Sequence, residues 1–254
     1  MRTISLPGRC DANEPDSSAR LVYIRAAIRT ITMPILRYLL YTLGVVLLTG
    51  YFAWAEISEP GSLKLLVYES AEDMLGTSEY SPLELVQPVM LLFCAGLFAW
   101  VAKDVPLQRP LAFLFGGIAF AGAVRELDLF LDRAIADNFW QLPVGMTAAL
   151  VIVYTYRHRR RFQIAWLRLW PSAGLTFLYA GALIEFVFAQ LIGHQPLWQA
   201  IAGDGYQRIV KVTVEELIEM MGYCLWVIGS IEYTIQVRAL RPGDPAARRR
   251  AGSA

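Results

Sequence analysis

Residues 208–238 read RIVKVTVEELIEMMGYCLWVIGSIEYTIQVR, and this stretch decides the fold. It is long and apolar enough for a helix to cross a bilayer core of about 30 Å, yet Glu215, Glu216 and Glu219 lie within about one turn near its start. At roughly 100° per residue, those three carboxylates, Tyr223 and Ser230 share about one third of the circumference, with Gly222 and Gly229 beside them. A polar seam next to a small-residue seam predicts a helix that faces other helices along that side, with lipid on the other.

The rest of the chain has the same character. Of 254 residues, 56% are hydrophobic, more than a soluble domain of this size needs. Apolar stretches recur at 35–55, 85–102, 110–131, 140–156, 171–192 and 209–236, each near the length required to span a membrane. The pattern predicts an all-α polytopic integral membrane bundle of six transmembrane helices. A polar segment precedes it (1–33), the bundle occupies 34–237, and a basic tail follows (238–254). The polar start and the tail after Pro242 are expected to be disordered.

Charge supplies the orientation. If six spans alternate, 18 of the 23 Lys and Arg fall on one side, against only six acidic residues there. The opposite side then holds five basic and 16 acidic residues. Basic residues collect on cytoplasmic loops, so both termini are expected in the cytoplasm. Arg outnumbers Lys by 20 to 3, which suggests a GC-rich bacterial genome and hence a bacterial plasma (inner) membrane. Cys10, Cys94 and Cys224 form no CxxC pair and imply no disulfide framework.

Several local features follow from the topology. Ala53-Trp54-Ala55 has the small-x-small form of a signal-peptidase site, but the preceding region is too long for an ordinary signal peptide, so the first span is read as a retained anchor. Ala19 to Met33 holds Ile and Val among Arg20, Arg25 and Arg29, as an amphipathic surface helix would. A short interfacial helix is expected in the acidic outer loop, over 62–75, with Leu63, Leu66, Val67 and Met74 on one side. The run Arg157-His158-Arg159-Arg160-Arg161 sits where an inner loop belongs and is read as an anchor contacting anionic lipid headgroups, with nucleic acid excluded as a partner.

Counting along the spans from their basic ends gives depth. Glu126 lies 17 residues from Arg109, Glu185 lies 17 from Arg168 and Glu219 lies 19 from Arg238. At about 1.5 Å per residue these are roughly 26 to 28 Å from the inner boundary, so three helices offer carboxylates at one level just inside the outer interface. Glu215 and Glu216 lie at that level or slightly beyond. Arg125, Asp128 and Lys211 are the charged neighbours, and a helical face shared by Arg125, Asp128 and Asp132 would leave Glu126 to meet Glu185 and Glu219.

Carboxylates clustered without Cys or His suit a hard divalent cation such as Mg²⁺, Ca²⁺ or Mn²⁺, or a shared proton. Glu126, Glu185 and Glu219 are the expected ligands, Glu215 and Glu216 completing the acidic layer. The function expected is an outward-facing site for transport or sensing of that ion. A structural or accessory protein, its charges only locking helices together or docking a membrane partner, is the alternative. A metal-dependent membrane hydrolase is a third reading. Only His158 and His194 are present, no GxSxG nominates a serine, and no phosphate loop or dinucleotide fingerprint occurs.

Overall fold

The computed structural model describes residues 17–59, 67–68, 74–75 and 82–240. The polar start and the basic tail lie outside the described residues. Apart from one two-residue strand pairing, the described chain is helical. It divides into two compact units, residues 1–50 and 51–254.

The first helix, α1 (Ser17–Ser58), runs unbroken through Pro34, so the expected surface helix and first span are one continuous element. Its apolar side chains from Met33 onward are largely exposed; Leu39, Leu47 and Trp54 are each about 60% accessible. Water does not tolerate such a surface over this length, but lipid does. The expected helix over 62–75 is not formed where the chain is described. There β1 (Val67–Tyr68) pairs antiparallel with β2 (Met74–Leu75), Val67 opposite Leu75 and Tyr68 opposite Met74. Only five residues, 69–73, separate the two strands in sequence, and their pairing satisfies backbone groups that a lone extended segment would leave open.

The second unit is built around α10 (Arg208–Ala239), which packs along α7 (Ala173–Leu183) and α2 (Pro82–Asp104). Next to α2 stands α3 (Arg109–Arg125), which also carries α5 (Gln141–Arg157) and α6 (Arg159–Leu169) on its outer side. Pro110 at the start of α3 needs no N–H partner there, and Ser172 caps α7 by accepting from the Leu175 N–H. Phe98, Phe115, Trp226 and Tyr233 meet ring to ring in the core.

The small-residue seam of α10 faces α7. A methyl group added at Gly229 would stand 2.8 Å from the Leu178 amide, and one at Gly181 would stand 2.8 Å from the Gly222 carbonyl. No larger residue fits between these backbones, and that close approach brings Glu219 of α10 toward Glu185, just beyond the end of α7.

By length and composition three helices can cross a membrane: Met33–Ser58, Leu85–Asp104 and Ala173–Ile192. The helices α3 and α5, at 17 residues each, fall just short in length, and α10 carries its carboxylates. Three details differ from the sequence reading. The segment 110–131 is not one helix: α3 stops at Arg125, a turn follows, and α4 (Asp128–Ala134) begins anew, so Arg125, Asp128 and Asp132 share no continuous face. The basic run is not a loop, because α5 bends at His158 and continues as α6, burying Ala165 and Leu169. Finally, 171–192 holds α7, then a π-helical segment (Ile184–Ala189), then the short α8 (Gln190–Ile192). A further short helix, α9 (Gln195–Ala202), precedes α10, and the Trp198 indole N–H donates back to the Ile192 carbonyl.

Candidate cation site

Three elements meet at one point. Glu126 leaves the end of α3, Glu185 lies in the π-helical segment and Glu219 is on the second turn of the acidic stretch of α10. One carboxylate oxygen from each lies within 4.8 Å of the other two. Glu185 and Glu219 are buried, 6% and 5% exposed, and the Glu126 side chain is 11% exposed.

Each placement has a local cause. At Glu126 the helix ladder ends: its N–H bonds to Gly122, the next N–H falls back to Val124, and the side chain is released toward α10. No Gly or Pro marks this break. In the π-helical segment the wider i→i+5 turn accommodates an extra residue, which swings Glu185 off the α-helical track. On α10, Gly222 sits one turn after Glu219 and leaves room for the Glu185 carboxylate: a Cβ there would be 3.1 Å from Glu185 Oε2.

Tyr223 ties the cluster together. Its hydroxyl oxygen is 2.7 Å from Glu126 Oε1 and 2.9 Å from Glu185 Oε1. Arg125 donates to Glu126 Oε1 at 3.1 Å and lies 3.9 Å from Glu185 Oε1, its own side chain half exposed. Glu185 Oε2 is buried and has no hydrogen-bond partner. A second buried acceptor, Gln87 Oε1, is also unpartnered, while Gln87 Nε2 donates to Glu216 Oε2 at 3.0 Å. Leaving a buried acceptor unsatisfied costs about 1–3 kcal/mol, more when it is charged, so two such atoms beside one acidic cluster call for a cation or donor.

Beside Glu185, Arg125 and Tyr223 lies a hollow of about 60 Å³ with otherwise apolar walls that include Leu91, Phe186 and Trp226; Glu126 and Glu219 do not line it. One water needs about 10–15 Å³ by this measure, so the hollow suits a few waters or a small ion and is far below the roughly 300 Å³ of an organic-ligand pocket. The oxygens of a Ca²⁺-sized ion stand about 2.3–2.6 Å from it, so opposite ligands are separated by up to about 4.6–5.2 Å. The 4.8 Å ceiling on this cluster falls inside that span.

The other residues singled out from sequence are arranged around this centre. Glu216 is held by Gln87. Glu215 pairs with Lys211 one turn away on α10, which makes Lys211 the counter-charge of Glu215. Asp128 opens α4 beyond the break and is partnered. Arg125, instead of serving a face with Asp128 and Asp132, reaches the Glu126–Glu185 edge. Two contributors were missed. Gln87 was passed over in α2, although an amide next to Pro88 in an otherwise apolar stretch was its signal. The role of Tyr223 as a bridge was not foreseen, although it shares the polar seam of α10.

The family described as Domain of unknown function (DUF8692) matches residues 128–232. That region contains Glu185, Glu219 and Tyr223 but stops short of Glu126 and Gln87. No curated protein and no solved structure matches the chain.

Proposed function

We propose that this chain is a six-span inner-membrane protein whose outward-facing carboxylate cluster binds a hard cation, with Glu126, Glu185 and Glu219 as ligands, in order to move or to sense it. The observation that carries the reading is the buried, unpartnered Oε2 of Glu185, one of three carboxylates that converge. A helix-locking network would spend every acceptor on a donor, whereas a site reserved for an ion leaves one open. Tyr223 and Arg125 hold Glu126 and Glu185 by their Oε1 atoms and leave Oε2 of Glu185 unengaged. Placing a charge within a membrane helix costs roughly 2.5–3.5 kcal/mol on insertion scales, less near the interface, and a bound cation offsets that cost.

The helix-locking alternative has its own support in the Arg125–Glu126 pair and the Tyr223 bridge. Thermal unfolding of the purified protein in detergent, across a divalent-cation and pH panel, separates the two. For a ligand at 100 times its Kd, linkage gives about 2.7 kcal/mol, or a rise in Tm of about 5–11 °C for a chain of this size. Glu219→Gln is expected to abolish that rise. If no cation shifts the wild type and the variant merely melts at a different temperature, the cluster is structural.

The proposed topology sets the acidic cluster near the outer interface and Arg157–Arg161 at the cytoplasmic face. With Cys10 replaced by Ser, the remaining Cys94 and Cys224 are buried, so single cysteines introduced on the surface in that background report cleanly. Asp137→Cys is expected to react with a membrane-impermeant maleimide in intact cells, and Arg160→Cys only after the membrane is opened. The reverse pattern would invert the protein and contradict an outward-facing site.

A further inference from the structure

The elbow between α5 and α6 gathers Arg157, His158, Arg159, Arg160 and Arg161 around a hollow of about 380 Å³. Among the described residues no carboxylate pairs with these arginines; Arg159 lies over the Tyr156 ring. The elbow is also the start of α6, whose first main-chain bond is from the Phe162 N–H to His158, so the amide groups of Arg159, Arg160 and Arg161 have no helical acceptor. Cationic side chains and free N–H groups at one place are complementary to a phosphate.

An apolar groove lies farther back along the same helix α5. Between α2, α3 and α5 runs a hollow of about 270 Å³ whose walls include Ala99, Phe113, Gly116, Phe120, Leu150 and Val151. Along α5 the groove residues Leu150 and Val151 lead, one turn on, to Tyr154. The Tyr154 ring contacts Phe113 in the groove at 4.6 Å and His158 at the elbow at 4.2 Å. His158 Nδ1 also bonds to the Tyr154 carbonyl at 2.9 Å. Groove and elbow share no lining residue and are linked along α5 by Tyr154; the surface they make together is a trough, apolar at the groove and cationic at the elbow. Beyond it α6 exposes Ile164, Leu167 and Trp170, the arrangement of a helix lying at a headgroup boundary.

We propose that this trough is a binding site for one anionic phospholipid of the cytoplasmic leaflet, its phosphate held at the α5–α6 elbow and part of one acyl chain lying in the α2–α3–α5 groove. The site is separate from the carboxylate cluster and rests on the proposed topology in requiring α3 and α5 to lie in the bilayer with the elbow at its cytoplasmic face. The groove is too small for a whole lipid and its walls are aliphatic and aromatic, which suits a segment of hydrocarbon chain. The elbow carries four arginines with no acid among them, which selects anionic over zwitterionic headgroups.

The test is lipid retention by the full-length protein in detergent, read by native mass spectrometry after titration with phosphatidylglycerol or phosphatidylcholine of equal chain length. Wild type is expected to retain one phosphatidylglycerol at least about tenfold more tightly than phosphatidylcholine. Replacing Arg159, Arg160 and Arg161 by Ala should weaken phosphatidylglycerol by roughly 100-fold, at the usual contribution per cation near a membrane surface, and leave phosphatidylcholine nearly unchanged. Leu150→Trp, at an exposed groove position where folding is not at stake, should weaken both. Inorganic phosphate should not displace the lipid. Equal retention of the two lipids, or variants that behave as wild type, would overturn the proposal while leaving the membrane reading intact; displacement by inorganic phosphate alone would reduce the elbow to an anion site; retention of neither lipid would count against both.

Discussion

Glu185→Gln is expected to weaken divalent-cation binding by about 100-fold or more, the largest single loss in the molecule. Glu185 supplies the one oxygen of the cluster that is both buried and unpartnered, and replacing its carboxylate by an amide removes a full charge from the ligand set. Truncating one partner of a buried charge pair typically costs 2–5 kcal/mol, which is about 30- to several thousand-fold in affinity. The fold should survive, because the amide keeps the shape and can still bond to Tyr223. Equilibrium dialysis against Mn²⁺ measures the affinity, and circular dichroism with size-exclusion chromatography confirms that the variant remains folded. An unchanged affinity would remove Glu185 from the site.

Gly222→Ala tests the same atom without touching any acidic side chain. The added methyl would stand 3.1 Å from Glu185 Oε2, 3.3 Å from Ile184 Cγ2 and 3.4 Å from the Gly181 carbonyl. Each contact is tight enough that a neighbour must give by a few tenths of an ångström. The methyl then crowds Oε2 and pushes α10 from α7, and packing errors of this kind cost about 1–3 kcal/mol. Mn²⁺ affinity is expected to fall by about 10- to 100-fold with all the carboxylates in place. If the affinity holds while only the melting temperature drops, Gly222 serves helix packing alone and the ion reaches Oε2 from another side.

Much of this arrangement was legible in the chain because two simple constraints act on it. Hydrophobic length located most of the apolar helices, though α1 begins well before the expected span, and counting residues from the basic ends indicated that Glu126, Glu185 and Glu219 would lie at a similar level. The glycine seam of α10 indicated which side would meet a neighbour, and Gly222 and Gly229 do lie against α7. Counting could not reveal departures from the α-helix. The break after Arg125 contains no helix-breaking residue, and the π-helical segment IEFVFA has the composition of ordinary helix, so both arise from tertiary demands at the cluster. They are the two places that aim Glu126 and Glu185, in keeping with the tendency of local irregularity to gather where side chains must be placed for a purpose. The basic elbow misled in another way. A basic run reads the same whether the backbone beneath it is loop or helix, so Arg157–Arg161 gave no sign of the continuation of α6.

Direct titration of the wild-type protein in detergent with Mn²⁺, followed by electron paramagnetic resonance, tests the central claim most directly. About one bound Mn²⁺ per chain, displaced by Ca²⁺ and absent when Glu126, Glu185 and Glu219 are all replaced by Gln, is the predicted result. No saturable binding in the wild type, or binding that persists in the triple variant, would contradict it and leave the three carboxylates as a lock between helices.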